Sequence, residues 1–277
     1  MLTLSKNYPI LVDDEVKSQT LKFWSSDSEE KYNKNNKPGW EYEDSEDLVY
    51  EFNEWGYRTK NIDDLDKDFA LVFGCSYTEG VGLYQKDIWC EKLCKELDID
   101  IFNLAKGGSG PCISYMNTTL YAKNLIRYKP KLVIYQWPQA FRRTFSHLEE
   151  KIEKVIMADE YDLKMVGYNI NTEASNMDMS WFKRRWLKED GEMYKESFFN
   201  FYSTDILWKA LDVPVYHWTW SGDFTNKYDK PFGFIEDDKI RVIKNKSNDK
   251  ARDNGHDGKQ IHSDVVDFLI DDIRKLL

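Results

Sequence analysis

The sequence predicts an α/β fold in which a parallel sheet is covered on both faces by helices. Three observations carry that expectation. From Asp68 onward, short apolar runs alternate with helical stretches, the rhythm of parallel strands joined by crossover helices. Phe69–Phe73 is an unbroken apolar run ending at Gly74, and Leu132–Trp137 is another, stopped by Pro138. The chain closes on Lys259–Leu276, where Val265, Val266, Phe268, Leu269 and Ile273 fall on one helical face.

In chain order, residues 1–66 come first and are unlike the rest. They are polar and acidic, punctuated by tyrosines and by Trp24, Trp40 and Trp55, with a turn-like stretch at Asn33–Gly39. Without long apolar periodicity they read as an N-terminal arm packed on a core domain, 67–277, with aromatics as anchors. Phe69–Phe73 is the first core strand. Asp87–Leu97 follows as a helix, with Ile88, Leu93, Cys94 and Leu97 spaced for one face. Ile99–Leu104 is the second strand, Ile113–Tyr128 a long helix and Leu132–Trp137 the third strand. Residues 141–210, aromatic and charged, are far longer than a typical crossover, and read as a mostly helical insertion over one end of the sheet. Val213–Trp218 is a fourth strand and Lys239–Ile243 a weak fifth, before the closing helix. The expected architecture is three-layer α/β/α with a parallel, flavodoxin-like sheet of about five strands.

Composition narrows function. Lys and Arg total 39 against 49 Asp and Glu, a formal charge of −10. Such a chain repels phosphate backbones, so nucleic acid is not an expected partner; Lys183-Arg184-Arg185 is too small a patch to reverse that balance. No apolar stretch approaches the roughly 18 residues of a membrane span. The first residues lack a basic start, apolar run and cleavage site, so a cytoplasmic location is expected. Four cysteines, Cys75, Cys90, Cys94 and Cys112, form no disulfide ladder. Cys90 and Cys94 have no CxxC or HxxxH nearby to complete a zinc site and read as packing thiols. No metal or organic cofactor is expected.

Three segments carry chemistry. In LVFGCSYTEGVGL (71–83), an apolar strand runs into Gly74 and Ser76 stands on the turn beyond it. Such a turn lifts a serine hydroxyl above the strand ends and aims backbone N–H groups at charge developing beside it. The spacing fits neither a phosphate loop of the GxxxxGK[ST] type nor GxGxxG. In ARDNGHDGKQIH (251–262), Asp253 precedes His256 by three residues, placing a carboxylate to orient an imidazole as general base. The other histidines have plainer readings: His262 as a capping or packing residue, His217 as a core histidine, His147 at the start of a charged helix facing solvent. In FNLAKGGSGP (102–111), Gly107, Gly108 and Gly110 leave amides unobstructed where a strand passes into a helix.

Together, and in this order, the three segments resemble the blocks of SGNH/GDSL hydrolases. Gly74-Cys75-Ser76-Tyr77-Thr78-Glu79-Gly80 is similar to the GDSxTxG block, with cysteine for aspartate. Asn103-Leu104-Ala105 with Gly108 resembles the second block, and Asp253-Asn254-Gly255-His256 the DxxH block, with Asp257 where proline often follows. The resemblance covers about 68–138 and 211–277. It implies a Ser76–His256–Asp253 triad, with an oxyanion hole from the amides of Ser76 and Gly108. One block departs: where the family carries GxND, this chain has Gln136-Trp137-Pro138-Gln139. Proline supplies no such donor, so three alternatives stand: Gln136 or Gln139 as a substitute, slow catalysis without one, or a retired active site; Gln139 is the third oxyanion candidate, and Asn103 and Trp137 are candidate substrate contacts. The implied reaction is hydrolysis of esters of sugars, lipids or small alcohols, and Trp181, Trp186 and Phe198–Tyr202 are either sugar-stacking residues or a hydrophobic lid. Two rival readings stand beside it: a non-catalytic binding or structural module, part of a larger particle, that kept the fold, and Cys75 as the nucleophile.

Overall fold

The structure, a computed structural model, describes residues 2–4, 7–43, 45, 47–66, 68–139, 142–147, 163–168, 190–220, 240–243 and 248–277, with backbone alone for 143–147, 163–168 and 190–195. In chain order its elements are β1 (Leu2–Leu4), β2 (Val12–Asp13), β3 (Thr20–Leu21), α1 (Glu29–Asn35), β4 (Tyr50–Glu51), β5 (Phe69–Phe73), α2 (Ser76–Glu79), α3 (Trp89–Glu96) and β6 (Asp100–Asn103). Then come α4 (Pro111–Asn124), β7 (Leu132–Trp137), β8 (Arg143–His147), β9 (Leu163–Tyr168), α5 (Asp190–Ala210), β10 (Val215–Thr219), β11 (Arg241–Val242) and α6 (Lys259–Arg274).

The main sheet has the order β11-β10-β7-β5-β6, and every pairing is parallel. Counted from β5, that is the 2-1-3-4-5 arrangement of flavodoxin-like sheets. Its strands are apolar throughout because both faces are covered. Phe69, Leu71 and Phe73 of β5, with Val133, Tyr135 and Trp137 of β7, pack on one face with Ile113 and Tyr121 of α4 and Phe201 and Trp208 of α5. The alternate residues Ala70, Val72, Leu132 and Ile134 pack on the other face with Trp89 and Leu93 of α3 and Val265, Leu269 and Ile273 of α6. Among the described residues no helix is long and apolar enough to cross a membrane.

Two expectations for the 141–210 segment need correction. It holds strands beside its helix: β8 and β9 lie in it and form an antiparallel sheet with β1 and β2, in the order β2-β1-β9-β8. His147 therefore ends a strand rather than beginning a helix. Second, α5 is the crossover between the parallel neighbours β7 and β10 and packs on α4. A parallel connection must return across the sheet face, so α5 buries Phe201 and Trp208 in the core.

The arm contributes core as well as cover. Ile10, Leu11 and Val12 are fully buried in the cluster of the α4–α5 face, and Asn117 of α4 accepts from Leu11 N while donating to Tyr57 Oη. A separate cluster, including Leu48, Tyr50, Phe52 and Leu83, seats the arm on the loop that follows α2.

Candidate active site

The carboxyl end of β5 is the point where strand order reverses between β5 and β7, the usual ligand crevice of an open α/β sheet. Gly74 ends β5 where there is no room for a side chain: a Cβ there would lie 2.4 Å from Thr78 Oγ1. Cys75 caps α2 and Ser76 is its first residue, so the Ser76 N–H has no carbonyl within the helix to reach. Gln136 Oε1, reaching from β7, accepts from Cys75 N (3.2 Å), Cys75 Sγ (3.3 Å) and Thr78 Oγ1 (3.1 Å). The turn is thereby bolted to the central strand. Cys75 is fully buried with its thiol on Gln136, which removes it as a nucleophile.

The second wall is the 250–257 loop, closed by an antiparallel bridge between Lys250 and Asp257 and turned by Asn254, whose φ is 53°. Asp253 Oδ1 accepts from the backbone N–H groups of Gly255 (3.0 Å) and His256 (2.9 Å), an Asx turn that fixes the carboxylate. Its Oδ2 lies 2.8 Å from His256 Nδ1, and His256 Nε2 lies 2.9 Å from Ser76 Oγ. These two contacts join residues 180 positions apart into one chain. Gly82 allows the approach: Arg252 N donates to its carbonyl (2.9 Å), and a Cβ on it would lie 2.8 Å from Ala251 Cβ. Burial raises the Asp253 carboxyl, but the His256 contact, the His256 amide and Ser26 outweigh it and hold the group well below the usual carboxylate range. The carboxylate side chain is fully buried, whereas the imidazole keeps 24 % of its exposure.

The third wall is the glycine loop after β6. Gly107 N donates to Glu79 Oε2 (2.7 Å), and a Cβ on Gly107 would lie 3.7 Å from Ser76 Cβ. Gly108, exposed and with φ 74°, follows directly. Glu79, fully buried, also accepts from Trp24 Nε1 (3.0 Å) and lies 3.5 Å from Lys106 Nζ, itself 2.8 Å from Asp13 Oδ2.

Several expected site residues serve the scaffold instead. Asn103 is buried; its Nδ2 donates to Thr78 O (2.9 Å) and Cys90 Sγ (3.6 Å) and its Oδ1 accepts from Ala105 N (3.0 Å), which ties it to the turn and the glycine loop. Trp137 is fully buried and donates to His217 Nδ1 (3.1 Å), because the last residue of a central strand still points into a covered face. Gln136 holds the turn and sends its Nε2 to Trp137 O (2.9 Å). Gln139 forms no hydrogen bond to Ser76; its Oε1 is buried without a hydrogen-bond partner among the described residues. Trp181, Trp186 and Lys183-Arg184-Arg185 lie outside the described residues.

His217, His262, Cys90 and Cys94 follow their plainer readings. His217 is buried against Trp137 and Tyr135. His262 accepts from Trp89 N (3.0 Å) at the start of α3 and stacks on Tyr77. Cys90 and Cys94 are buried, and burial pushes both thiols up. Among the described residues no cluster of three His, Cys, Asp or Glu could hold a metal ion.

Sequence reasoning missed Ser26, Asp27 and the role of Glu79. Ser26 Oγ donates to Asp253 Oδ2 at 2.7 Å. No spacing rule connects it to a residue 227 positions away; the one available signal was a tryptophan among polar residues, read as an anchor.

No protein-family model matches the chain, and no curated protein matches it in sequence. Among solved structures, a protein assigned to the lipolytic G-D-S-L family from Desulfitobacterium hafniense DCB-2 is similar at 11 % identity with a TM-score of 0.32, covering 76 % of this chain and 99 % of its own. A Bacteroides fragilis NCTC 9343 protein assigned as an acylhydrolase is similar at 11 % identity and a TM-score of 0.30, covering 77 % and 92 %. Likeness of that degree establishes neither the fold nor the chemistry of this chain.

Proposed function

We propose that the protein is a serine hydrolase that cleaves esters through Ser76, His256 and Asp253. The observation that carries this reading is the continuous contact Asp253 Oδ2–His256 Nδ1–His256 Nε2–Ser76 Oγ, at 2.8 and 2.9 Å. With the proton on Nδ1, held by Asp253, the Nε2 lone pair faces the serine hydroxyl and accepts its proton. Ser76 Oγ then attacks the ester carbonyl carbon, and the carbonyl oxygen becomes an oxyanion. The donors assigned to it in this reading are the N–H of Ser76, at the start of α2, and the amide of Gly108. The imidazolium gives its proton to the departing alcohol. Water, deprotonated by the same nitrogen, then releases the acid from the acyl-enzyme.

The resemblance of the three blocks to SGNH/GDSL hydrolases supports the same assignment and suggests acylated sugars, lipids or small esters as substrates. Gln136 is committed to the Ser76 turn, so it is not the side-chain donor that replaces the missing asparagine; Gln139 remains the candidate. A panel of p-nitrophenyl esters and a fluorophosphonate probe test the reading. The wild type is expected to hydrolyse short esters and to be labelled at Ser76, while Ser76→Ala loses at least about a thousandfold in kcat. Equal background rates for the two proteins, with no labelling, would favour the non-catalytic module instead.

A further inference from the structure

We infer that Ser26 is a positioning residue of this site, brought by the N-terminal arm to fix the Asp253 carboxylate against His256. The inference rests on the hydrolase reading. Its basis is a hairpin turn formed by Trp24-Ser25-Ser26-Asp27, in which Trp24 N donates to Asp27 O (2.9 Å) and Asp27 N to Trp24 O (3.1 Å). Ser25, the first central residue, has φ 58°, the sense that tight hairpin turns demand but that serine rarely adopts.

This turn is clamped to both halves of the candidate triad. On one side, Trp24 Nε1 donates to Glu79 Oε1 (3.0 Å), one helical turn beyond Ser76 in α2. On the other, buried Asp27 receives Arg252 through Nε (3.0 Å) and Nη2 (2.7 Å), and takes a hydrogen bond from Tyr50 Oη (2.5 Å). Arg252 immediately precedes Asp253. A charged pair with almost no exposure holds its geometry only where every partner is in place, and here both partners are satisfied. The turn also reaches the third wall, for a Cβ on Gly107 would lie 3.6 Å from Ser25 Oγ.

The Ser26 hydroxyl takes part in neither clamp. Its Oγ–H donates to Asp253 Oδ2 (2.7 Å), the oxygen that His256 Nδ1 also contacts, and the same Oγ stands 3.4 Å from Nδ1. With Gly255 N and His256 N on Oδ1, both carboxylate oxygens then carry two donors and the group cannot rotate. A donor sharing Oδ2 also draws charge from it. The consequence is a weaker pull on the Nδ1 proton of His256.

The test compares wild type, Ser26→Ala and Ser26→Thr. Ser26→Ala is expected to lower kcat/KM about tenfold and to shift the His256 Nδ1 proton resonance downfield. Ser26→Thr, which keeps the hydroxyl, restores both. Loss of activity with an unmoved resonance would reveal a merely structural role and overturn the inference. So would an Ala variant indistinguishable from wild type. If the wild type hydrolyses no ester, the hydrolase reading falls by itself, and the Nδ1 resonance in Ser26→Ala decides whether the hydroxyl governs the Asp253–His256 pair.

Discussion

Asp253 and His262 show how much one residue's surroundings decide. Asp253 accepts from two backbone amides and from His256 and Ser26, so it stays ionised far into acid and keeps the imidazole in one tautomer. Asp253→Asn is expected to keep the fold while reversing that tautomer, with kcat falling by about 10⁴; a variant with near-normal turnover would show that the carboxylate does not orient the base. His262 is the opposite case. Burial, then the Lys92 and His256 charges, push its ring down to about 3. An unfolded histidine takes up a proton near 6.5, so between those two values only the unfolded chain is protonated. Stability is therefore full above roughly pH 6.5 and falls with acidification by up to about 1.4 kcal/mol per pH unit. Thermal melts of wild type and His262→Asn between pH 7 and 4 check this: the variant should lose less. His262 was legible as a packing histidine from its place in an amphipathic helix, but its bond to Trp89 N required the folded partner.

At the scale of elements, the strand-to-helix turn is set by contacts that leave no space. Gly82 has φ 79°, and a Cβ on it would lie 2.8 Å from Ala251 Cβ. Gly82→Ala is expected to cost about 1–3 kcal/mol in urea unfolding, and to reduce activity per folded molecule by pushing the Asp253 loop from Ser76. Full stability in that variant would mean the two loops are not held together there. The core strands were readable because burial on both faces removes polar residues: Phe69–Phe73 and Leu132–Trp137 have the ends the sequence suggests. Helix ends were less readable. A 3₁₀ turn at Gln85–Asp87 delays α3 to Trp89, and α4 stops at Asn124, short of Tyr128. Strands β8 and β9 were missed because part of their pairing is with β1, about 160 residues away in sequence.

For the molecule as a whole, the arm decides whether the site exists. Removing residues 1–66 would strip Ile10, Leu11, Val12 and Tyr57 from the core and leave Arg252 without Asp27. A buried charge deprived of its partner costs about 3–5 kcal/mol, on top of the lost apolar burial. The truncated chain is expected to show no cooperative thermal unfolding by circular dichroism. A soluble, cooperatively melting 67–277 fragment would contradict this and make the arm dispensable.

Local pattern alone was enough to specify the parallel α/β class, the serine on its turn and the Asp–His loop, because apolar periodicity and turn-forming residues act over a few positions. Tertiary structure decided which of the remaining polar residues meet. It turned Gln136, Asn103 and Trp137 into scaffold and brought Trp24, Ser26 and Asp27 to the candidate site. Those roles depend on hydrogen bonds spanning tens to hundreds of residues, and the sequence around either partner carries no trace of a bond that distant.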